Sequence, residues 1–318
     1  MKLTDADLGV FIKKVLKLDP GKRKEYLRQV DYLIERLEKK INEDSSFSVL
    51  RFTKTGSLTK GTVLRPRDGC GVDADVAVDL DISEAKKDDV DLLHQTIRKL
   101  LIAVYPQKKE SDFEVQPRTL GIHFHDSGLD VDLVPVVPIP AEPGYGWQPS
   151  SQGDTPVKTS VKGQLKFIKD RSDRDPRFRP LVRLLKRWRN HQELEKFRSF
   201  TIELLLAALI DTQGTAPGLE EGLQRFFLFV AQTELKTPVS FPENGNVSKY
   251  PSDPVVILDP VNSENNVARR LQDSERKEIV AKATSAWETI SAASWKSGKG
   301  DTLELWKQIF GRSFVIEE

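Results

Sequence analysis

The chain has 318 residues and a formal net charge of +1, from 49 Lys and Arg against 48 Asp and Glu. That length allows two domains of about 150 residues each, and the near-neutral balance gives no case for a generic polyanion binder. The single cysteine, Cys70, excludes a disulfide framework and a thiolate zinc site. The longest apolar runs, Leu204 to Ile210 and Phe226 to Ala231, fall far short of the roughly 18 residues that span a bilayer. The N-terminal residues lack the apolar stretch of a secretory signal, so a cytoplasmic protein with no membrane contact is expected.

Residues 19 to 44 carry the clearest helix. Asp19 suits its cap and Pro20 its first turn. Tyr26, Leu27, Val30, Leu33, Ile34, Leu37 and Ile41 recur every three or four residues, which makes one apolar stripe. From Ser45 the texture changes. Val49 and Phe52, then Val76, Val78, Leu80 and Ile82, mark strands with Gly and Pro between them. Residues 89 to 105 read as an amphipathic helix. Residues 119 to 126 and 129 to 137 read as a strand pair closed by Ser127-Gly128. Residues 138 to 160, rich in Pro, Gly, Ser and Gln, form a loop or an interdomain crossing. Beyond it the pattern is helical, with Leu181, Leu184, Leu185 and Trp188 on one face and Ile202, Leu205, Leu206 and Leu209 on another. The expected division is a mixed α/β half over 1–150 and an α-helical lobe over 151–318.

Two segments concentrate carboxylates. In GVDADVAVDL, strand alternation sends Asp73 and Asp75 to one face and Val72, Ala74 and Val76 to the other. Neighbouring carboxylates repel and raise each other's pKa, and a divalent cation with a taste for oxygen ligands relieves that. Asp79 and Asp81 share their parity, but Asp81 lies about 20 Å beyond Asp75. These two are expected at the strand end and its solvent-facing turn. In LDVDLVPVV, Asp130 and Asp132 share a face, and alternation does not choose between them. With a two-residue turn at Ser127-Gly128, His125 faces Asp130 and His123 faces Asp132. The histidines then neighbour a carboxylate site without direct catalytic work. Ahead of both segments, Gly56-Ser57 offers backbone N–H groups and a hydroxyl, which suit a phosphate but also an ordinary turn. Between Lys162 and Arg198, 13 Lys or Arg stand against 5 Asp or Glu, a local excess of eight positive charges. That excess fits an anionic ligand, or a solvated helical face.

In order, TGSLTKGTVLRP, VDADVAVDL and LDVDLVPV resemble the G-S…D-x-D…D pattern of the polymerase-β-like nucleotidyltransferases. The nearer resemblance is to the branch that holds cyclic GMP–AMP synthase, the oligoadenylate synthases and the bacterial CD-NTases. LVRLLKRWRN is similar to that branch's helix with a phosphate-binding lysine, FRSFTIELLL to its following Ser-aromatic helix start, and VVILDPVNSENNVARR to its DP…NNV segment. The matches run from about residue 46 to 270.

The resemblance implies an α+β, two-lobed nucleotidyltransferase fold: a mixed β-sheet catalytic core plus an α-helical C-terminal lobe, with the active site in the cleft. It implies that Gly56 and Ser57 hold a donor triphosphate, and that Asp73, Asp75 and Asp132 are the catalytic metal ligands, with Asp130 as the fallback for the third. It places Lys186 and Ser199 on the donor phosphates and Phe200 against a base. Many relatives carry Tyr there, so Phe keeps the π-face and loses a hydroxyl. The stretch from Ser57 to Asp73 is long for the pattern, implying a larger turn around Asp68-Gly69-Cys70-Gly71. Two Mg²⁺ ions, with Mn²⁺ as substitute, are the implied cofactors. The implied reaction joins nucleoside triphosphates, ATP among them, into a cyclic oligonucleotide second messenger for antiphage (CBASS) signalling, with release of pyrophosphate. A downstream effector binds the product, and a regulatory protein or nucleic-acid activator is left open. The alternatives are a linear oligoadenylate-synthase-like or RNA-tailing enzyme, and a catalytically silent nucleotide- or RNA-binding module.

Overall fold

A computed structural model describes residues 1–43, 48–66, 71–82, 89–116, 118–149 and 155–316. Its elements run α1 (Asp5–Phe11), α2 (Pro20–Glu43), β1 (Val49–Thr55), α3 (Gly56–Lys60), β2 (Val72–Leu80), α4 (Val90–Val104), β3 (Phe113–Val115), β4 (Leu120–Phe124), β5 (Leu129–Pro138), β6 (Gly146–Gln148) and β7 (Val157–Thr159). There follow α5 (Val161–Arg174), α6 (Phe178–His191), α7 (Ser199–Gln213), α8 (Leu219–Thr233), β8 (Leu258–Asp259), β9 (Asn262–Asn266), α9 (Asp273–Ser294) and α10 (Lys299–Phe310). They form two compact units, Leu18–Lys166 and a helical one of Met1–Lys17 with Phe167–Glu318. The division falls within α5 rather than near residue 150, and the first 17 residues go with the helical unit. No helix among the described residues is long and apolar enough to cross a membrane.

The first unit is built on a mixed sheet with the path β1-β2-β5-β4-β3 and β6 and β7 appended to β5. Only β2 and β5 run parallel; the other pairs are antiparallel. Val72, Ala74, Val76, Val78 and Leu80 of β2 share a core with Leu129, Val131 and Leu133 of β5 and Leu120 and Ile122 of β4. Helix α2 brings Tyr26, Val30, Leu33, Leu37 and Ile41 to that core, and α4 brings Leu93, Ile97, Leu100, Leu101 and Val104. Asp19 caps α2 as expected: its Oδ1 accepts from the Gly21 and Lys22 N–H groups at 2.8 and 3.0 Å. The helices cover one sheet face. Alternation leaves the aspartates of β2 and β5 on the other.

In the helical unit, Trp188 of α6 packs edge-on against Phe227 of α8, with ring centres 4.9 Å apart. The N-terminal segment joins through Phe11, which meets Phe310 and Phe314 with ring centres 5.5 and 4.8 Å apart. Asp5 accepts from the Leu219 N–H at 2.6 Å, so it caps α8. The DP…NNV segment forms the β8–β9 hairpin. Asn266 is its tie. Its Oδ1 accepts from the Ile257 and Ala268 N–H groups, and its Nδ2 donates to Asp253 Oδ2 and the Val255 carbonyl, all at 2.8–3.0 Å. At 4% exposure, Asn266→Ala strands buried donors and acceptors, each at a cost of about 1–3 kcal/mol. Urea unfolding should show a loss of roughly 3 kcal/mol; an unchanged midpoint would remove the hairpin's tie from the explanation.

Candidate active site

The parallel pairing of β2 with β5 sets the site. Its register places Asp73 beside Asp130 and Asp75 beside Asp132. All four side chains lie on the face away from α2 and α4, because the register sets them opposite one another and their alternating neighbours fill the core. On the other flank of β2, Thr55 of β1 is the partner of Asp75. The chain then turns at once into α3, which begins with Gly56 and Ser57. A Cβ on Gly56 would lie 1.7 Å from Asp75 Oδ2, and Gly56 has φ +71°. Only glycine brings this turn so close to that carboxylate. Arg23 of α2 holds the turn from below, donating through Nε and Nη2 to the Leu58 carbonyl at 3.0 and 2.9 Å.

The two aspartates of β5 differ in their surroundings. His123 of β4 is the register partner of Asp130, and its Nδ1 meets Asp130 Oδ1. Asp132 has Gly121 opposite. The missing side chain leaves room there, since a Cβ on Gly121 would come 3.1 Å from Asp132 Oδ1 and 3.6 Å from the Glu114 Cβ. Glu114 of β3 therefore joins the carboxylate group. Burial, then the charges of Asp75, Asp73, Glu114 and Asp130, push the Asp132 carboxyl up to about 6. Among the described residues no three His, Cys, Asp or Glu side chains are already drawn together as metal ligands. Charges that repel one another need a cation between them to close up.

The raised pKa makes a stability prediction. The folded chain keeps a proton on Asp132 that the unfolded chain releases near its ordinary value of 3.8. The contribution is present below about pH 4 and lost as pH rises through about 6. In a chelating buffer, Asp132→Asn should therefore melt above the wild type at about pH 7.5, with the two converging near pH 4. A wild type that melts higher at neutral pH would contradict this electrostatic picture.

Two expectations are corrected. The β4–β5 connection is a four-residue turn, not two: Phe124 pairs with Leu129, and Gly128 takes a positive φ of 68°. His123 thus faces Asp130 rather than Asp132. His125 leaves the ladder, and its Nε2 meets Asp112 Oδ1 at 2.7 Å. Asp79 does not reach the solvent-facing end of its strand. It is 8% exposed, opposite Arg51, whose guanidinium it pairs with. Burial raises its pKa against the opposing pull of Arg51 and Lys162. Asp81 does lie past the strand, exposed, and accepts from the Ser48 hydroxyl at 2.6 Å. Asp68, Gly69 and Cys70 of the expected larger turn lie outside the described residues.

In the helical unit, Lys186 lies on α6 at 6% exposure. Ser199 is the first residue of α7, and Phe200, half-buried, the second. Arg189, three residues beyond Lys186, donates through Nη1 to the Ser199 hydroxyl at 3.0 Å and to the Phe197 carbonyl at 3.3 Å. The motifs pointed neither to Arg189 nor to Glu114. Each lies beside a motif residue through packing between elements, Arg189 at Ser199 and Glu114 across Gly121 from Asp132.

A mixed sheet that brings a strand-borne aspartate pair beside two more on a parallel neighbour, with a Gly-Ser turn packed on one of them, is the core of a nucleotidyltransferase. No family model matches the chain. It is 40% identical over 318 residues to the CBASS oligonucleotide cyclase CdnC of Escherichia coli strain KTE188, covering 100% of this chain and 99% of that protein. It is 35% identical over 311 residues to a cyclic AMP-AMP-AMP synthase of E. coli strain MS 115-1, covering 96% and 95%. The structure of E. coli MS115-1 CdnC with ATP matches with a TM-score of 0.86 at 34% identity, over 98% of this chain and 99% of that one. The complex of that protein with HORMA-deltaN matches at 0.84 and 32%, over 99% of each. The chain belongs to the CBASS oligonucleotide cyclases, nucleotidyltransferases that make cyclic oligonucleotides for antiviral defence.

Proposed function

We propose that Asp73, Asp75 and Asp132 form the catalytic centre and hold two Mg²⁺ ions, for which Mn²⁺ can substitute. The observation that carries this is the β2–β5 register, which sets Asp75 beside Asp132. The donor set fits in charge, because Asp132 is pushed up to about 6 by burial and then by the carboxylates around it, and divalent ions remove that repulsion. Asp130, engaged by His123, is the weaker choice for the third ligand. When bound, the ions supply charge neutralisation at the triphosphate and acidify the acceptor hydroxyl.

The chain's own groups do the rest. Asp132 orients the acceptor ribose hydroxyl and takes its proton. The hydroxyl oxygen attacks the donor α-phosphorus, and pyrophosphate leaves. The backbone N–H groups and hydroxyl at Gly56-Ser57, with Lys186 and Ser199, bind the β- and γ-phosphates, and Phe200 stacks on a base. Further transfers lengthen the linear intermediate one unit at a time, and in the last its own terminal hydroxyl attacks its 5′ α-phosphorus, releases pyrophosphate and closes the ring.

ATP is the proposed substrate and a ring of AMP units the proposed product. The named activity of the 35%-identical synthase and the ATP-bound relative support both. A HORMA-type protein is the proposed regulator, by likeness to the CdnC complex, and an effector that binds the product the proposed downstream partner. The test is incubation with all four nucleoside triphosphates, Mg²⁺ and a HORMA-type protein, followed by mass spectrometry. A ring of AMP units that resists phosphatase and exonuclease is expected. A product degraded by both is linear and would overturn the reading.

A further inference from the structure

Arg189 lies in the last turn of α6. Its guanidinium makes four hydrogen bonds: Nε and Nη2 to Asn190 Oδ1 at 2.9 and 2.6 Å, and Nη1 to the Phe197 carbonyl and the Ser199 hydroxyl at 3.3 and 3.0 Å. Every acceptor is neutral. Burial lowers its pKa from the ordinary 12.5, and no acid among the described residues opposes it. A half-buried cation with neutral partners is a costly arrangement. It is the more favourable the closer an anion comes.

The bond to Ser199 has a definite consequence for that hydroxyl. A serine oxygen carries two lone pairs and one hydrogen. Arginine only donates, so Ser199 Oγ must accept from it, and the hydroxyl hydrogen is turned to a different acceptor. Ser199 also stands at the start of α7, whose first N–H groups lack partners within the helix.

We propose that Arg189 is a positioning residue for nucleotide binding: by donating to Ser199 Oγ it fixes the serine hydroxyl as a donor to a phosphate oxygen and keeps an uncancelled positive charge behind it. This rests on the reading of Ser199 as a triphosphate ligand. The fork geometry matters as well as the charge. Arg189 holds the Phe197 carbonyl and Ser199 Oγ with one nitrogen while two others hold Asn190, and the single nitrogen of lysine does not reproduce that.

The experiment measures the Kd of the full-length protein for a non-hydrolysable ATP analogue with Mg²⁺, with thermal melts to confirm folding. Arg189→Ala should weaken binding about tenfold and Ser199→Ala about fivefold. In the double variant, the loss should exceed the larger single loss by no more than about twofold, because both act through one hydroxyl. Arg189→Lys should recover part of the loss, and carries the test if the alanine variant melts too low. If Ser199→Ala weakens binding while Arg189→Ala and Arg189→Lys do not, or if the two losses multiply, the positioning role is overturned and the triphosphate reading stands. If Ser199→Ala leaves binding unchanged, the triphosphate reading itself fails, and this role with it.

Discussion

Changing Asp73 and Asp75 together to asparagine should abolish cyclic product while the protein keeps its fold. The sheet does not need these carboxylates for its core, since they project from the face opposite α2 and α4. Asparagine conserves their shape and removes two negative charges from the set around Asp132. Loss of the charge that holds catalytic divalent ions should lower turnover by roughly 10⁴-fold, equivalent to about 5 kcal/mol of transition-state stabilisation. Labelled nucleotide incorporation reads the loss, and circular dichroism with a thermal melt reads the fold. Because two repelling charges are gone, the variant should melt no lower than the wild type in chelator. Turnover within tenfold of wild type would remove both residues from the centre.

Gly56→Ala should be nearly as damaging, for a steric reason. The new Cβ would meet Asp75 Oδ2 at 1.7 Å and its Cγ at 2.7 Å, so either the carboxylate swings away or the β1–α3 turn shifts. A displacement of about 1 Å at a reacting centre costs around 100-fold in rate. The positive φ of 71° adds strain of about 1–2 kcal/mol. Gly128→Ala is the matched control. It carries a similar φ of 68°, yet nothing lies within 4 Å of its would-be Cβ. It should lose comparable stability and keep most of its activity. Equal activity in the two variants would mean that the Gly56 turn does not bear on Asp75.

Much of this was legible in the sequence for simple reasons. Period-two alternation located β2 and β5 and told which way their aspartates face. The 3.6-residue stripe located α2 and its cap at Asp19. Motif order named the nucleotidyltransferase class before any geometry. What escaped depends on contacts between elements, which patterning along the chain does not specify. The register of β4 against β5 turns on whether the connection has two residues or four, and Ser127-Gly128 fits both; the difference moves His123 from Asp132 to Asp130. Asp79 shares the composition and parity of the exposed aspartates, and only pairing with Arg51 of β1 shows it buried. Glu114 reaches the carboxylate group because Gly121 is small, and that needs three strands in register. Arg189 sits among many cations of α6, and its contact with Ser199 comes from the turn between α6 and α7. The attachment of the first 17 residues to the helical unit rests on aromatic packing of Phe11 across almost the whole sequence.

The most direct measurement is anomalous diffraction from crystals grown with Mn²⁺ and a non-hydrolysable ATP analogue. Manganese peaks bound jointly by Asp73, Asp75 and Asp132, with the triphosphate against Gly56-Ser57, are the expected result. Peaks lying elsewhere, or an Asp132 turned away from the other two, would contradict the assignment of these strands as the metal-binding centre.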